Sequence, residues 1–301
     1  MLYHIILQLI FFVSLGLFSC SSQSQHKAKS LTPLQHMAVN QRQPLCLEFR
    51  RDTIIAGLNN KIKNGDALIV HIFVPLCDND NQGIIPTSKS LGNGLNLKTN
   101  LYWGAGYGIK THFKRKKDWK LVYQQYNTDS NILERVVFFK VFSNHAKVYL
   151  IADGYRGDRM EQCLDDYLNS LVGTKKDLLN IENKQIGINS HSDLLIFNGH
   201  NGLMDVDMDL IYNEDGIFRD AAVISCVSYD YFANHLKCLK AYPLVTSVSF
   251  LPPEAYVAEG IINSWALMKT NEEIRLAAGD AMYRVHKKSR KAMRAMFKTG
   301  W

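Results

Sequence analysis

The segment DLLIFNGHNG at residues 193–202 is a short apolar run that ends at His200. Four other runs have the same uninterrupted apolar character, and one of them, DAAVISCVS at residues 220–228, ends at Cys226. Continuous rather than alternating apolarity indicates strands that are buried on both faces, which is typical of parallel sheets in α/β proteins. The five predicted strands cover residues 67–74, 146–152, 193–197, 220–225 and 244–250.

Helical patterns separate several of these strands. Apolar residues recur at spacings of three and four from Asp158, with Glu161 completing a cap and Gly173 ending the helix. Thr270 and Glu273 predict the capping box of a long C-terminal helix. This alternation predicts an α/β protein with an open, mostly parallel, doubly wound sheet and helices on both faces. The predicted helices cover residues 158–171, 229–239, 256–268 and 270–298, and residues 135–142 form another strand candidate.

The N-terminus has the character of a targeting segment. Residues 2–18 are nearly all apolar, and a run this short followed by small residues predicts an export signal over residues 1–19. The sequence LFSC ending at Cys20 resembles the lipobox of bacterial lipoproteins, which implies that Cys20 is lipidated. Residues 23–42 are polar and patternless, so residues 20–42 are predicted to form a lipidated tether, and residues 43–301 are predicted to form one domain. We therefore expect an exported, membrane-anchored lipoprotein of the bacterial cell envelope, with plain secretion or an uncleaved anchor as alternatives.

Charge and cysteine content narrow the possible ligands. The formal net charge is +7, with basic clusters at residues 114–117 and 284–298, but charge runs more often mark solvated faces than binding sites. No nucleic-acid motif accompanies them, so nucleic acid is not an expected partner. If Cys20 carries lipid, five cysteines remain, and an odd number in an exported chain leaves at least one thiol free or paired between molecules. None has the spacing of a zinc site, and we expect neither a metal nor another cofactor.

His200 and Cys226 are the candidates for chemistry, because each follows a predicted strand at its carboxyl end. In an open α/β sheet these ends form the ligand crevice. A cysteine nucleophile needs a nearby base and backbone N–H donors for the oxyanion. The helix predicted after Cys226 would direct its N-terminal dipole toward the thiol and favour the thiolate.

A strand ending in His-Gly, followed by a strand ending in a small residue and Cys, resembles the caspase-like clan of cysteine peptidases, which includes caspases, legumains, clostripains and gingipains. The resemblance covers roughly residues 65–250. It implies that His200 is the general base and that Cys226 is the nucleophile. It also implies that the oxyanion is held by the backbone N–H of Cys226 and by a backbone N–H after the histidine, at Asn201 or Gly202. The family pattern has glycine directly after the histidine, whereas Asn201 intervenes here.

Residues 77–108 form a long loop rich in glycine and aromatic residues, which we expect to overhang the crevice. Asp78 is placed for the floor of a pocket that selects basic side chains, the alternative being a turn-capping aspartate. Tyr102 and Trp103 form a candidate substrate platform, unless they fill the core of their own loop. The segments CDN at 77–79 and NLYWG at 100–104 also resemble segments of uncharacterised bacterial lipoproteins.

Together these features predict a caspase-like cysteine peptidase that cleaves a peptide or protein substrate and reaches the membrane through a lipid anchor. Two alternatives remain at this point. The first is a binding lipoprotein that keeps the fold without catalysis and holds a peptide or glycan. The second is a cysteine hydrolase that acts on amides or esters outside proteins. Asp205, Asp207 and Asp209 alternate with apolar residues and are expected to form the solvated face of a strand.

Overall fold

The computed structural model describes residues 46–301. Eight of its ten strands form one mixed sheet, and the other two form a separate hairpin. The strands are β1 (Ala67–Pro75), β2 (Lys120–Tyr126), β3 (Ile132–Val141), β4 (Lys147–Tyr155), β5 (Lys176–Ile181), β6 (Lys184–Asn189), β7 (Leu194–Asn198), β8 (Arg219–Ile224), β9 (Ala241–Ser247) and β10 (Phe297–Lys298). The α-helices are α1 (Asp52–Asn64), α2 (Ile109–Lys114), α3 (Met160–Val172), α4 (Ser228–Cys238), α5 (Ala255–Ala266), α6 (Asn271–His286) and α7 (Arg290–Ala295).

The order of strands in the large sheet is β10-β9-β8-β7-β1-β4-β3-β2. The five central strands, from β9 to β4, run parallel, and antiparallel strands complete both edges. All five predicted apolar runs therefore contain strands of the parallel centre, and the candidate at residues 135–142 corresponds to β3. The fifth strand is displaced from its prediction of 244–250, because β9 begins at Ala241 and ends at Ser247. The prediction of an α/β protein with a mostly parallel sheet is confirmed.

Side chains that alternate along the central strands enter different parts of the core. Leu68, Val70 and Ile72 of β1 pack in one apolar cluster with residues of α1, α5 and α6. Phe73 of the same strand and Phe197 of β7 belong to a second cluster with residues of α3 and α4. Because successive side chains of a strand point to opposite faces, the helices cover both faces of the sheet.

Several predicted boundaries differ in the structure. Asp158 does not cap α3, because Gly157–Arg159 forms a 3₁₀ turn and the Asp158 carboxylate accepts hydrogen bonds from Arg156 at 2.9 Å. The capping box of Thr270 and Glu273 is present, but the predicted helix over 270–298 ends early. Lys287 has φ +54°, which stops α6, and α7 and β10 follow.

A disulfide joins Cys46 to Cys238 at the end of α4, across 192 residues of sequence, with the Cα atoms 4.2 Å apart. The described part of the chain then holds three free cysteines, which are Cys77, Cys163 and Cys226. Within residues 46–301 no helix has the length and apolarity needed to cross a bilayer. The predicted export signal, tether and lipidation of Cys20 lie outside the described residues.

Candidate active site

The register of β7 and β8 sets the two predicted catalytic residues at one edge of the sheet. Asn198, the last residue of β7, pairs with Ile224, the last residue of β8. The next residues along each strand direction therefore leave the sheet at the same level. His200 and Cys226 both line a cleft of about 510 Å³ at this edge. The structure thus places both residues that the sequence singled out at one cleft.

The imidazole of His200 is held by a carboxylate that the sequence did not identify. His200 is buried, and its Nε2 lies 2.8 Å from Oδ2 of Asp205. A carboxylate accepts hydrogen bonds, so this contact favours the imidazole tautomer that carries its hydrogen on Nε2. In that tautomer Nδ1 has the free lone pair. A histidine in that tautomer can accept a proton at Nδ1 while Asp205 stabilises the resulting cation.

Cys226 is the most accessible free thiol in the described part of the chain. It is half-buried, whereas Cys77 and Cys163 are buried. Its S–H donates to the backbone carbonyl of Leu251 at 3.5 Å. Burial raises the pKa of Cys77 to about 11, although a hydrogen bond from Tyr102 opposes that rise. Burial likewise raises the pKa of Cys163 far above its usual value. The thiolate that a nucleophile requires is therefore disfavoured at Cys77 and Cys163.

The connection from β8 to α4 has an unusual backbone beside the thiol. Val227 has φ +47° and ψ +36°, a left-handed conformation that β-branched residues rarely adopt. Such a conformation costs on the order of 1–3 kcal/mol and persists only where neighbouring contacts fix it. Here the Val227 N–H donates to the Ser249 carbonyl at 3.0 Å. The turn sets Cys226 directly before Val227, the N-cap residue of α4.

The structure gives Asn201 and Gly202 roles in packing. The side-chain amide of Asn201 donates to the Cys226 carbonyl at 2.7 Å and so ties the two strand ends together. Gly202 is buried, and a Cβ there would lie only 2.5 Å from the Met160 side chain. Neither residue is among those lining the cleft. Gly199 does line it, but its N–H donates to the Ile224 carbonyl at 3.2 Å. The N–H of Gly199 is therefore already occupied within the sheet edge and is not available to an oxyanion.

The three residues that were predicted to line the substrate pocket lie in three different places in the structure. Tyr102 lines the cleft. Trp103 is fully buried, and its indole N–H donates to Glu134 at 2.7 Å, so it belongs to the core of its loop. Asp78 is also buried and lines a different cavity. Its carboxylate accepts the Asp80 N–H and the Asn81 side-chain amide, both at 3.0 Å, which is the turn-capping arrangement. The structure does not bring Asp78 to the cleft.

Asp205 is the residue that sequence reasoning missed. Its alternation with Asp207 and Asp209 predicted a solvated strand, but residues 205–209 form no strand. Instead, a 3₁₀ turn at Gly202–Met204 folds the chain back toward His200. The sequence did contain a signal for this contact: Asp205 follows the candidate histidine by five positions, with Gly202 between them to allow a turn.

Within residues 46–301 no group of three or more His, Cys, Asp or Glu side chains is arranged to hold a metal ion. Comparison with protein-family models, with curated proteins and with solved structures finds no match to this chain.

Proposed function

We propose that this protein is a cysteine peptidase of the caspase-like type, with Cys226 as nucleophile and His200 as general base. One observation carries the proposal. His200 and Cys226 follow neighbouring parallel strands and line one cleft, and the imidazole of His200 is held through Nε2 by Asp205. Nucleophile, base and a group that orients the base are the components of a cysteine or serine hydrolase site. The adjacency and direction of the two strands are those that the resemblance implies.

The proposed reaction follows from these groups. Nδ1 of His200 takes the proton of the Cys226 thiol, and the thiolate attacks the carbonyl carbon of the scissile bond. The C–N bond breaks as His200 returns the proton to the leaving amine, which leaves a thioester on Cys226. Water then adds to the thioester with His200 as base, and the acid product and free thiol are released.

The first experiment is labelling of the purified full-length chain with iodoacetamide, followed by peptide mapping. Cys226 should be alkylated at least about tenfold faster than Cys77 or Cys163, because those thiols are buried and their pKa values are raised. Faster labelling of Cys77 or Cys163 would contradict the assignment of the nucleophile.

The second experiment measures cleavage of a mixed peptide library by the wild type and by matched variants. Cys226→Ala and His200→Ala should each abolish cleavage, and the double variant should be no worse than either, because the two act as a unit. Cys163→Ala and His145→Ala are the controls and should keep activity, since Cys163 lies in the core and His145 is exposed elsewhere. Because His200 is itself buried, melting temperatures must show that each variant is folded.

The alternative outcomes are informative. Rapid labelling of Cys226 with hydrolysis of small amides or esters, but of no peptide, would favour the non-peptide hydrolase. Peptide binding without any turnover would favour the binding lipoprotein. One observation supports this alternative: the N–H of Gly199, which lines the cleft, already donates to the Ile224 carbonyl and cannot also bind an oxyanion.

We also propose that Cys20 is lipidated and anchors the protein to the membrane. The chain expressed in a bacterial host should incorporate labelled palmitate, and Cys20→Ala should abolish that labelling. Labelling that persists in Cys20→Ala would contradict the anchor without bearing on the cleft.

A further inference from the structure

The cleft that holds His200 and Cys226 is lined mainly by apolar side chains. Of the described residues that line it, none is Asp, Glu, Lys or Arg. The apolar lining includes Ile84, Ile85, Phe250 and Leu251. A pocket that selects charged side chains needs an opposite charge or several hydrogen-bond partners inside it. This lining lacks such a charge.

One side of the cleft is the segment that follows β9, residues 248–253. Three hydrogen bonds fix it to the strand ends that carry the proposed catalytic pair. The Asn198 side-chain amide donates to the Pro253 carbonyl at 2.9 Å, the Cys226 thiol to Leu251, and the Val227 N–H to Ser249. Because two prolines also restrict this segment, Phe250 is presented from a fixed backbone.

Another side is formed by residues 83–87 of the long loop. The Gly83 N–H donates to Oδ2 of Asp205 at 3.0 Å, so this part of the loop is joined to the carboxylate that holds His200. The residue at 83 must be glycine for this approach, since a Cβ would lie 2.4 Å from Oδ1 of Asp205. Ile84 and Ile85 follow directly and line the cleft.

Two large apolar side chains of this lining remain exposed to solvent. Ile85 is 93% exposed and Phe250 is 72% exposed. Exposed apolar groups beside a reactive pair mark a site that gains stability when an apolar partner covers them. The open shape suits a peptide, whose side chain can enter the cleft while its polar backbone stays hydrated. A long acyl chain would instead need an enclosed channel to be desolvated.

We infer that the cleft binds peptides through an apolar side chain beside the scissile bond, with Ile85 and Phe250 as specificity-determining residues. The inference rests on the proposed function for its reaction but concerns binding, which can be measured without turnover. It replaces the selection of basic side chains that Asp78 predicted, because Asp78 lies at another cavity.

The test uses the full-length chain carrying Cys226→Ala, which binds without cleaving. The peptides fluorescein-Ala-Ala-X-Ala-amide, which carry the fluorophore on the N-terminus and have Leu, Lys or Glu as X, are titrated by fluorescence anisotropy. The Leu peptide should bind about tenfold or more tightly than the Lys and Glu peptides, since burying one large apolar side chain is worth that factor or more. Phe250→Ser and Ile85→Ser should each weaken Leu-peptide binding about tenfold on the same grounds.

Leu178→Ser is the matched control, because Leu178 is 59% exposed on β5 and does not line the cleft. It should leave binding unchanged, as should Asp78→Asn. Preference for the Lys or Glu peptide, or binding of a long-chain acyl ester but of no peptide, would overturn the inference. Turnover by the wild type decides the proposed function separately. Cleavage after Lys would contradict the apolar preference but not the peptidase reaction. Binding of the Leu peptide without cleavage by the wild type would contradict the peptidase reaction but not the apolar preference.

Discussion

Oδ2 of Asp205 lies 2.8 Å from Nε2 of His200, and the same oxygen accepts the backbone N–H of Gly83 at 3.0 Å. One carboxylate therefore orients the proposed base and joins it to the loop that forms one side of the cleft. A change in that loop can alter the position of the imidazole without touching it. This relationship makes Asp205 a positioning residue, since it acts through His200 and not on the substrate.

Asp205→Asn should lower kcat about 10²–10⁴-fold, because an amide in that place favours the wrong imidazole tautomer, which is the effect of the same exchange in a Ser-His-Asp triad. Asp207→Asn is the matched control, since Asp207 is exposed two residues further on. The pH dependence of Cys226 alkylation gives a second measurement, which should change in Asp205→Asn and not in Asp207→Asn. An unchanged alkylation profile would show that Asp205 has only a structural role.

Gly83→Ala should reduce activity in the same way, because the added Cβ would lie 2.4 Å from Oδ1 of Asp205 and the carboxylate would have to shift away. The control is Gly57→Ala in α1, where a Cβ would meet nothing within 4 Å. That exchange should raise the free energy of unfolding by about 0.5–1 kcal/mol, because glycine is unfavourable inside a helix. Both effects are measurable by kinetics and urea unfolding. Full activity in Gly83→Ala would mean that the contact does not position His200.

The disulfide between Cys46 and Cys238 should contribute about 2–4 kcal/mol to the free energy of unfolding, since it closes a loop of 192 residues in the unfolded chain. The double variant Cys46→Ala, Cys238→Ala should lose that amount in urea unfolding. Addition of a thiol reductant should destabilise the wild type and leave the variant unchanged. Equal sensitivity of both proteins to the reductant would contradict this assignment.

His71 should make the stability depend on pH below 6.5. Burial lowers the pKa of His71 from 6.5, although Asp153 opposes that shift. Nδ1 accepts the Asn189 N–H at 3.2 Å, and Nε2 lies 3.0 Å from Asp153, so the ring is neutral in the folded protein. The unfolded chain takes up a proton at this histidine as pH falls through 6.5, and the folded chain does not. The free energy of unfolding should therefore fall by up to about 1.4 kcal/mol per pH unit below that value.

Urea unfolding of the wild type and of His71→Gln at pH 7.5, 6.5 and 5.5, values chosen around the ordinary pKa of about 6.5, measures this contribution. The difference between the two proteins isolates His71, since burial also lowers the pKa of His235 in both. Parallel profiles would contradict the prediction. Asp153 affects the stability at lower pH. Burial alone would raise its pKa, but the positive charge of Arg135 and the hydrogen bonds from Arg135 and His71 hold the pKa well below the usual range. Its contribution is lost only in stronger acid.

Local sequence patterns were enough to predict the parallel centre of the sheet and the edge that carries His200 and Cys226. Continuous apolarity indicates a strand that is buried on both faces. When such a strand is followed by a helix, its carboxyl end is the end that lies at the crevice. The capping box at Thr270 and the end of α3 at Gly173, which has φ +103°, were also readable because both depend on residues within one turn of a helix.

Contacts between segments that are far apart in the chain were decided only by the tertiary structure. The path of the long loop carries Gly83 to Asp205 across 122 residues and leaves Asp78 at another cavity. The disulfide between Cys46 and Cys238 is likewise a contact between distant segments, which are 192 residues apart in the sequence. Sequence spacing encodes periodicity and burial, but it does not encode where an irregular connection returns. The position of such a loop is fixed only when its hydrogen bonds and packing are satisfied by the folded core.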